Sequence, residues 1–347
     1  MSYKQTYQWV VDKNNENLRK TKEIKDAALL INQNEIIAFP TETVYGLGGN
    51  AKNDEAIKKI FAAKGRPSDN PLIVHVATIE QATQLVTNEP AYAKTLMKTF
   101  WPGPLTLVFT GGKDVSPYVT AGLGTIAIRI PDHPVALALL EEANLPVAAP
   151  SANQSGKPSP TAAKHVQTDL LGRISGIIDG GDTGVGVEST VVDCTGVYPM
   201  ILRPGGVTKE QLEAVVGRVD VDESLSQHDV APKSPGMKYT HYAPNADFIL
   251  VENEDMIHEL IQSQQQEGLR VGVLTTEEQK DKYKADVVIA CGYRADVTTV
   301  AKQLYDSLRA FNEKNVDIIF SETFPKVGVG VAIMNRLEKA AGGIIIR

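Results

Sequence analysis

At 347 residues, with 42% hydrophobic and 22% charged side chains, the chain is too apolar to be disordered and long for a single core, so two domains are expected. A net charge of -7 excludes a broadly basic nucleic-acid surface and leaves any basic site local. Residues 1–20 are polar without the apolar core of a signal peptide or membrane anchor, and Cys194 and Cys291 stand far apart in apolar settings; a cytoplasmic protein with reduced, packing cysteines and no Cys-x-x-Cys metal site is expected.

Leu18, Ile24, Ala28 and Ile31 recur at helical spacing over 17–31, and a strand follows at 36–39. It runs into Pro40-Thr41-Glu42-Thr43-Val44-Tyr45-Gly46-Leu47-Gly48. Such a loop either exposes polar groups at a strand end, where open α/β sheets bind ligands, or only satisfies its own backbone. Asn53 or Asp54 can cap a helix through Ile57, Ile60 and Phe61 that ends at Lys64-Gly65-Arg66-Pro67; Asn70 and a strand at 72–76 carrying His75 follow. The cations either form an anion site, Lys64 as a point charge, Arg66 as a planar fork and Asn70 as a neutral donor, or only offset the helix dipole. His75 alone reads as a half-buried strand residue.

Helical patterns over 79–86 and 92–100 stop at Trp101-Pro102-Gly103-Pro104, ahead of a strand at 105–109. A strand at 125–130 places Arg129 between Ile128 and Ile130, where a charge must face water, a partner or a bound anion. After a helix at 135–142 and a strand at 146–149, Pro150-Ser151-Ala152-Asn153-Gln154-Ser155-Gly156 again gathers small donors at a strand end, with Thr161 placed to cap the next helix. The glycine-dense stretch 180–186 lacks G-x-G-x-x-G spacing and reads as a flexible turn into a strand opened by Ser189 and Thr190. Arg203 lies at a further strand end, and Thr208 with Gln211 forms a capping box for a helix to Val216.

This pattern divides the chain into a first domain at 12–220, a Pro-rich linker at 221–245 and a βα-repeating domain with a largely parallel sheet at 246–347. The linker's Lys238, Tyr239, His241 and Tyr242 are too costly in side-chain entropy for a spacer, so residues 234–242 are expected to fold over the pocket as a lid. Near the end, Gly328-Val329-Gly330 opens a helix and is either a phosphate cradle or a point of close packing.

Lys64, Arg66, Arg129 and Arg203, with hydroxyl loops at Thr43, Ser151 and Ser189, all fall near predicted strand ends and would form one polyanion pocket. Neither a Walker sequence nor His-Glu-x-x-His occurs, so no dedicated metal cage is expected, and magnesium would arrive with a triphosphate. Six ordered motifs then carry a resemblance: Pro40-Thr-Glu-Thr-Val-Tyr-Gly-Leu47; Lys64-Gly-Arg-Pro with Asn70-Pro-Leu and His75; Arg129-Ile-Pro; Pro150-Ser-Ala-Asn with Gln154 inserted before Ser-Gly; Ser189-Thr190; and Arg203-Pro-Gly. Together they resemble the YrdC-like threonylcarbamoyl-AMP synthases. Ser234-Pro-Gly-Met-Lys-Tyr-Thr-His-Tyr-Ala-Pro244 and Gly330-Val-Ala-Ile-Met-Asn-Arg336 look like the longer, two-domain form.

The resemblance implies an α/β fold: a twisted open mixed sheet with helices, followed by a smaller Rossmann-like α/β domain. It implies a nucleotidyltransferase that converts L-threonine, bicarbonate and ATP to threonylcarbamoyl-AMP and pyrophosphate. Separate machinery would then pass the carbamoyl group to the tRNA adenosine beside the anticodon. By motif, Thr43, His75, Arg129, Ser151 and Ser189 would surround threonine, with Arg129 opposite its carboxylate. Arg66, Asn70, Thr125, Asn153, Thr161, Arg203 and Ser234 would contact ATP, with Lys64 and Arg66 the catalytic cations beside the phosphates. The competing expectation is an RNA-binding translation or maturation factor using the same concave face, weakened by the acidic total and the lack of an aromatic stacking motif.

Overall fold

The computed structural model describes residues 5–225 and 242–347. Ser234 and all of the expected lid except Tyr242 lie outside the described residues.

The chain forms two compact units. The first carries an eleven-stranded mixed sheet in the spatial order Tyr7–Val10, Gly176–Asp179, Ile37–Phe39, Gly46–Asn50, Val147–Ala148, Ile73–His75, Thr125–Arg129, Leu105–Thr110, Thr190–Asp193, Met200–Arg203, Asp220–Val221. Local chemistry explains where its helices begin and stop. The Asn53 side chain accepts from the Ala56 amide to start helix Asp54–Lys64, and Gly65, at φ 63, ends it in the left-handed region. Thr208 and Gln211 form both halves of the capping box on helix Lys209–Val216. Thr161 does not cap: helix Ala163–Leu170 starts at Ala162, and the Thr161 amide instead donates to His165 Nδ1 at 3.2 Å.

The segment Gly46–Asn50, expected as loop, is a strand. A Cβ at Gly48 would lie 2.7 Å from the Phe39 ring and 2.8 Å from Val147, so the glycine lets this strand pass where a side chain would collide.

Alternation along the strands sorts the first unit's core. One face buries Ile36, Ala38, Leu47, Val74, Leu107, Phe109, Ile126 and Ile128 against Ile57 and Ile60, Leu96 and Met97, Val166 and Leu212 from four helices. On the other face, Ile37, Phe39, Val147 and Ile178 pack under Ile24, Ile31, Val135 and Leu139 of helices Lys22–Asn32 and Pro134–Ala143. Further along that face lies a separate apolar cluster, Ile73, Val108, Ala127, Val191 and Leu202, to which, among the described residues, no helix contributes a member. The strands that carry this cluster also carry His75, Arg129 and Arg203.

The second unit has five parallel strands in the order Val287–Ala290, Val271–Thr275, Ile318–Glu322, Asp247–Val251, Ile345–Ile346, with helices Met256–Gln266, Val297–Lys314 and Gly330–Ala340. It also takes in Gly156–Ser159 and Val185–Val187. At Gly330 a Cβ would lie 2.0 Å from the Pro325 carbonyl oxygen, which identifies close packing as the reason for that glycine. At the carboxyl ends of two adjacent strands, the fully buried Glu322 accepts from Thr275 Oγ1 on one oxygen and pairs with Arg294 Nη2 on the other. Arg294 also pairs with Glu254 at 2.6 Å and donates to Thr323 O at 3.3 Å. Cys194 and Cys291 are buried free thiols. Among the described residues, no helix is long and apolar enough to cross a membrane.

Candidate active site

Strand register brings the predicted residues together. His75 pairs directly with Arg129, and Ile73 with Ala127, so His75 and Arg129 stand side by side on the face that carries the Ile73–Ala127 cluster. Thr106 is opposite Val191, which is opposite Arg203 across the next pair, and Ser189 is two residues before Val191. Ser189 Oγ lies 2.7 Å from Thr106 Oγ1, and Arg203 donates to the Ser189 carbonyl from Nε at 3.1 Å and Nη2 at 2.9 Å. Arg203 Nη2 also reaches Ser189 Oγ at 3.1 Å. A Cβ at Gly205 would meet Glu188 O at 2.3 Å, so the Arg203-Pro-Gly motif allows its backbone to press against the Ser189 loop. Thr125 opens its strand opposite Thr110, half-buried.

Arg129 is 3% exposed, and its guanidinium is braced on three sides. Nε donates to Gly103 O at 3.1 Å, Nη1 donates to Thr43 Oγ1 at 2.9 Å, and Nη2 forms an ion pair with Glu42. Thr43, fully buried, is held in turn by Thr41 Oγ1 at 2.9 Å. The Thr-rich loop therefore reaches across to the arginine rather than only satisfying its own backbone. It is also tied to the second donor loop, through the Gly46–Ser151 bridge and the Ala152 amide, which donates to Tyr45 O at 2.8 Å. Thr161 joins through its carbonyl, which accepts from the Thr183 amide at 3.0 Å, next to the Gly184 amide that donates to Glu42 O at 3.0 Å.

Lys64, expected either in an anion site or as a cation offsetting the helix dipole, turns inward from the helix end. It is 4% exposed, and Nζ donates to the carbonyls of Ser151 and Asn153, the latter at 2.8 Å. Its ammonium braces the Ser151–Asn153 loop from inside, a role that burial and three fixed acceptors favour over free contact with solvent. Arg66 follows the left-handed Gly65, is half-buried, and approaches Asn70 O at 3.5 Å. Asn153 Nδ2 donates to the carbonyl of the inserted Gln154 at 2.7 Å.

Several buried polar atoms here lack a hydrogen-bond partner among the described residues: both amide atoms of Asn70, His75 Nδ1, both carboxylate oxygens of Glu42 and Thr183 Oγ1. Buried polar groups in folded proteins are nearly always paired, so a group of exceptions around one face indicates atoms reserved for a ligand. Burial, and then the charge of Arg129, push the His75 imidazole down to about 3, so it is neutral at physiological pH and can accept or donate through an uncharged ring. His133, whose Nδ1 accepts from the Val135 amide, is pushed down to about 4 by burial, against the opposing pull of Glu42. Glu42, Thr106, Gly103 and Gly205 were not singled out as site residues from sequence. Glu42 had a readable signal, as the one carboxylate in a loop otherwise made of hydroxyls and apolar residues. Thr106 had one too, as the polar alternate in Leu-Thr-Leu-Val.

A large mixed sheet with donor loops gathered around Arg129 and Ser189, followed by a small parallel α/β unit, matches two sequence families in tandem. Residues 29–205 match the Sua5, YciO and YrdC family, described as Telomere recombination, and residues 207–342 match the threonylcarbamoyl-AMP synthase C-terminal domain. The chain belongs to the Sua5/YciO/YrdC family in its two-domain form. It is 60% identical over 344 residues to a threonylcarbamoyl-AMP synthase of Bacillus subtilis, covering 99% of both chains. It is 47% identical to one from Pyrococcus abyssi, over 93% of this chain and 95% of the relative. The crystal structure of P. abyssi Sua5 complexed with L-threonine superposes with a TM-score of 0.92 at 46% identity, covering 98% of this chain and 99% of that one.

Proposed function

We infer that this chain is a threonylcarbamoyl-AMP synthase, a nucleotidyltransferase that uses L-threonine, bicarbonate and ATP and releases pyrophosphate. The observation that carries the reading is the match along 99% of the chain to a protein of that name. The site chemistry agrees with it. The threonine amine and bicarbonate give a carbamate and water; a carbamate oxygen then bonds to the α-phosphorus as the bond to pyrophosphate breaks. The carbamate is labile in water, so the reaction depends on shielding and in-line placement more than on a protein nucleophile. Charge developing on the phosphate oxygens is stabilised by fixed cations.

In this reading Thr43, His75, Arg129, Ser151 and Ser189 face threonine, and Arg66, Asn70, Thr125, Asn153, Thr161 and Arg203 face ATP. Lys64 acts through the Ser151–Asn153 loop that it braces. Among the described residues no three His, Cys, Asp or Glu side chains converge on a metal position. Magnesium would enter on the triphosphate, and we assign it no step. The product would feed a tRNA-modifying transferase in the cytoplasm. The test is a purified-protein assay: pyrophosphate release that requires threonine, bicarbonate and ATP together supports the reading. Phosphate release, or ATP turnover indifferent to threonine, refutes it.

A further inference from the structure

Glu42 is a half-buried carboxylate beside Arg129 for which the motif assignments give no task. Its side chain is 12% exposed beside an Arg129 side chain that is 4% exposed. Although Glu42 Oε1 touches Arg129 Nη2, among the described residues neither atom has an aligned hydrogen bond, and Glu42 Oε2 has none either. All three atoms are shut off from solvent. An ionised carboxylate offers about four acceptor positions, and with only the Arg129 ion pair against Oε1 most of them go unused, which is costly in a buried site.

A structural ion pair would close those positions. The contrast is Glu322 in the second unit, whose two oxygens take a hydroxyl and a guanidinium. The main chain of Glu42 is fixed, since its carbonyl accepts from the Gly184 amide at 3.0 Å, so the carboxylate is presented by an anchored loop. The groups facing it are Arg129 and the neutral His133. What it lacks is a compact donor with several N–H groups.

We propose that Glu42 receives the α-ammonium group of the substrate amino acid, so that Arg129 and Glu42, adjacent and opposite in charge, read the zwitterion as a unit. This rests on the assignment of threonine to the Arg129 site. An α-amino acid carries its ammonium one carbon from its carboxylate, the same juxtaposition of charges in reverse. Because a carboxylate-held ammonium parts less readily with its proton, Glu42 serves recognition and not amine activation: it sets which acids enter.

The experiment uses calorimetry on the full chain with two ligands, L-threonine and its 2-hydroxy analogue, in which a hydroxyl replaces the ammonium. Glu42→Gln is expected to weaken threonine by about 30-fold and leave the hydroxy acid within a few-fold of wild type. Glu42→Asp, which keeps the charge at shorter reach, is expected to recover part of the threonine loss, and unchanged ATP affinity in each variant certifies the fold. Arg129→Gln should weaken both acids. Equal losses of both acids in Glu42→Gln overturn the proposal, because Glu42 would then only hold Arg129. Tighter threonine binding also overturns it, because Glu42 would then compete with the substrate carboxylate. If Arg129→Gln leaves both acids unaffected, the threonine site itself is elsewhere, and both readings fall together.

Discussion

Two carboxylates, one in each unit, occupy similar places at strand ends and are treated in opposite ways. Glu322 is fully buried at the carboxyl end of a parallel strand, with Thr275 on one oxygen and Arg294 on the other. Glu42 is nearly as buried, beside an arginine of its own, yet neither of its oxygens has an aligned donor. The neighbours repeat the contrast: Asn70 has both amide atoms unpartnered, and His75 has a free Nδ1. Burial and charge therefore do not identify a site. Unfilled hydrogen-bonding capacity on the ligand-facing carboxylate itself is the sharper mark, since the surroundings of Glu322 also leave Thr276 Oγ1, Gln279 Oε1 and Arg294 Nε unpartnered among the described residues.

If Glu322 is structural, its loss should be costly and confined to stability. Glu322→Ala leaves Arg294 without its deepest partner and is predicted to destabilise strands Val271–Thr275 and Ile318–Glu322 by about 3 kcal/mol, the lower end for a broken buried pair because Arg294 is partly exposed. Amide exchange in those strands is the measurement, and protection equal to wild type would remove the contrast with Glu42.

Within the first unit, Lys64 and Arg66 sharpen the same distinction over two positions. Lys64→Ala strands the Ser151 and Asn153 carbonyls and is predicted to lower unfolding free energy by about 2 kcal/mol along with turnover. Arg66→Ala, at a half-buried position, is predicted to reduce turnover while urea unfolding stays at the wild-type midpoint. Equal stability in the two variants would show that Lys64 faces ligand and not its loop.

The framework of this site was legible because strand alternation and punctuation are local. The two strands that carry His75 and Arg129, the helix ending at Lys64-Gly65 and the Thr208 capping box all follow from short-range rules, while the pairing of those strands does not. The hidden features depend on distant neighbours. Gly46–Asn50 reads as loop because its fitness as a strand lies in the Phe39 and Val147 side chains that leave no room for a Cβ. Lys64 reads as exposed because its acceptors lie 87 and 89 residues further along the chain. Thr161 reads as a cap because nothing nearby in sequence announces that its amide will meet the His165 ring.

The smallest predicted effect is a pH dependence that separates the pocket's buried imidazole from the ordinary carboxylates. His75 is pushed down to about 3 in the folded protein, from an ordinary value of 6.5. At pH 7 neither state binds the extra proton, so the contribution to stability is complete. As pH falls below about 6.5 the unfolded chain takes up a proton that the folded protein refuses, and stability declines until the folded value near 3 is passed. The slope from one such group is at most about 1.4 kcal/mol per pH unit, and His133, pushed down to about 4, adds in the same direction over a narrower range. Carboxylates titrating below pH 5 steepen both curves, so the useful quantity is the difference between wild type and His75→Gln. Urea unfolding at pH 7, 6 and 5 is expected to show the variant less stable at pH 7, with a shallower fall toward pH 5, so that the two curves converge on acidification. Parallel curves would mean that the His75 ring binds its proton equally in the folded and unfolded chain, so that burial does not hold its proton affinity down.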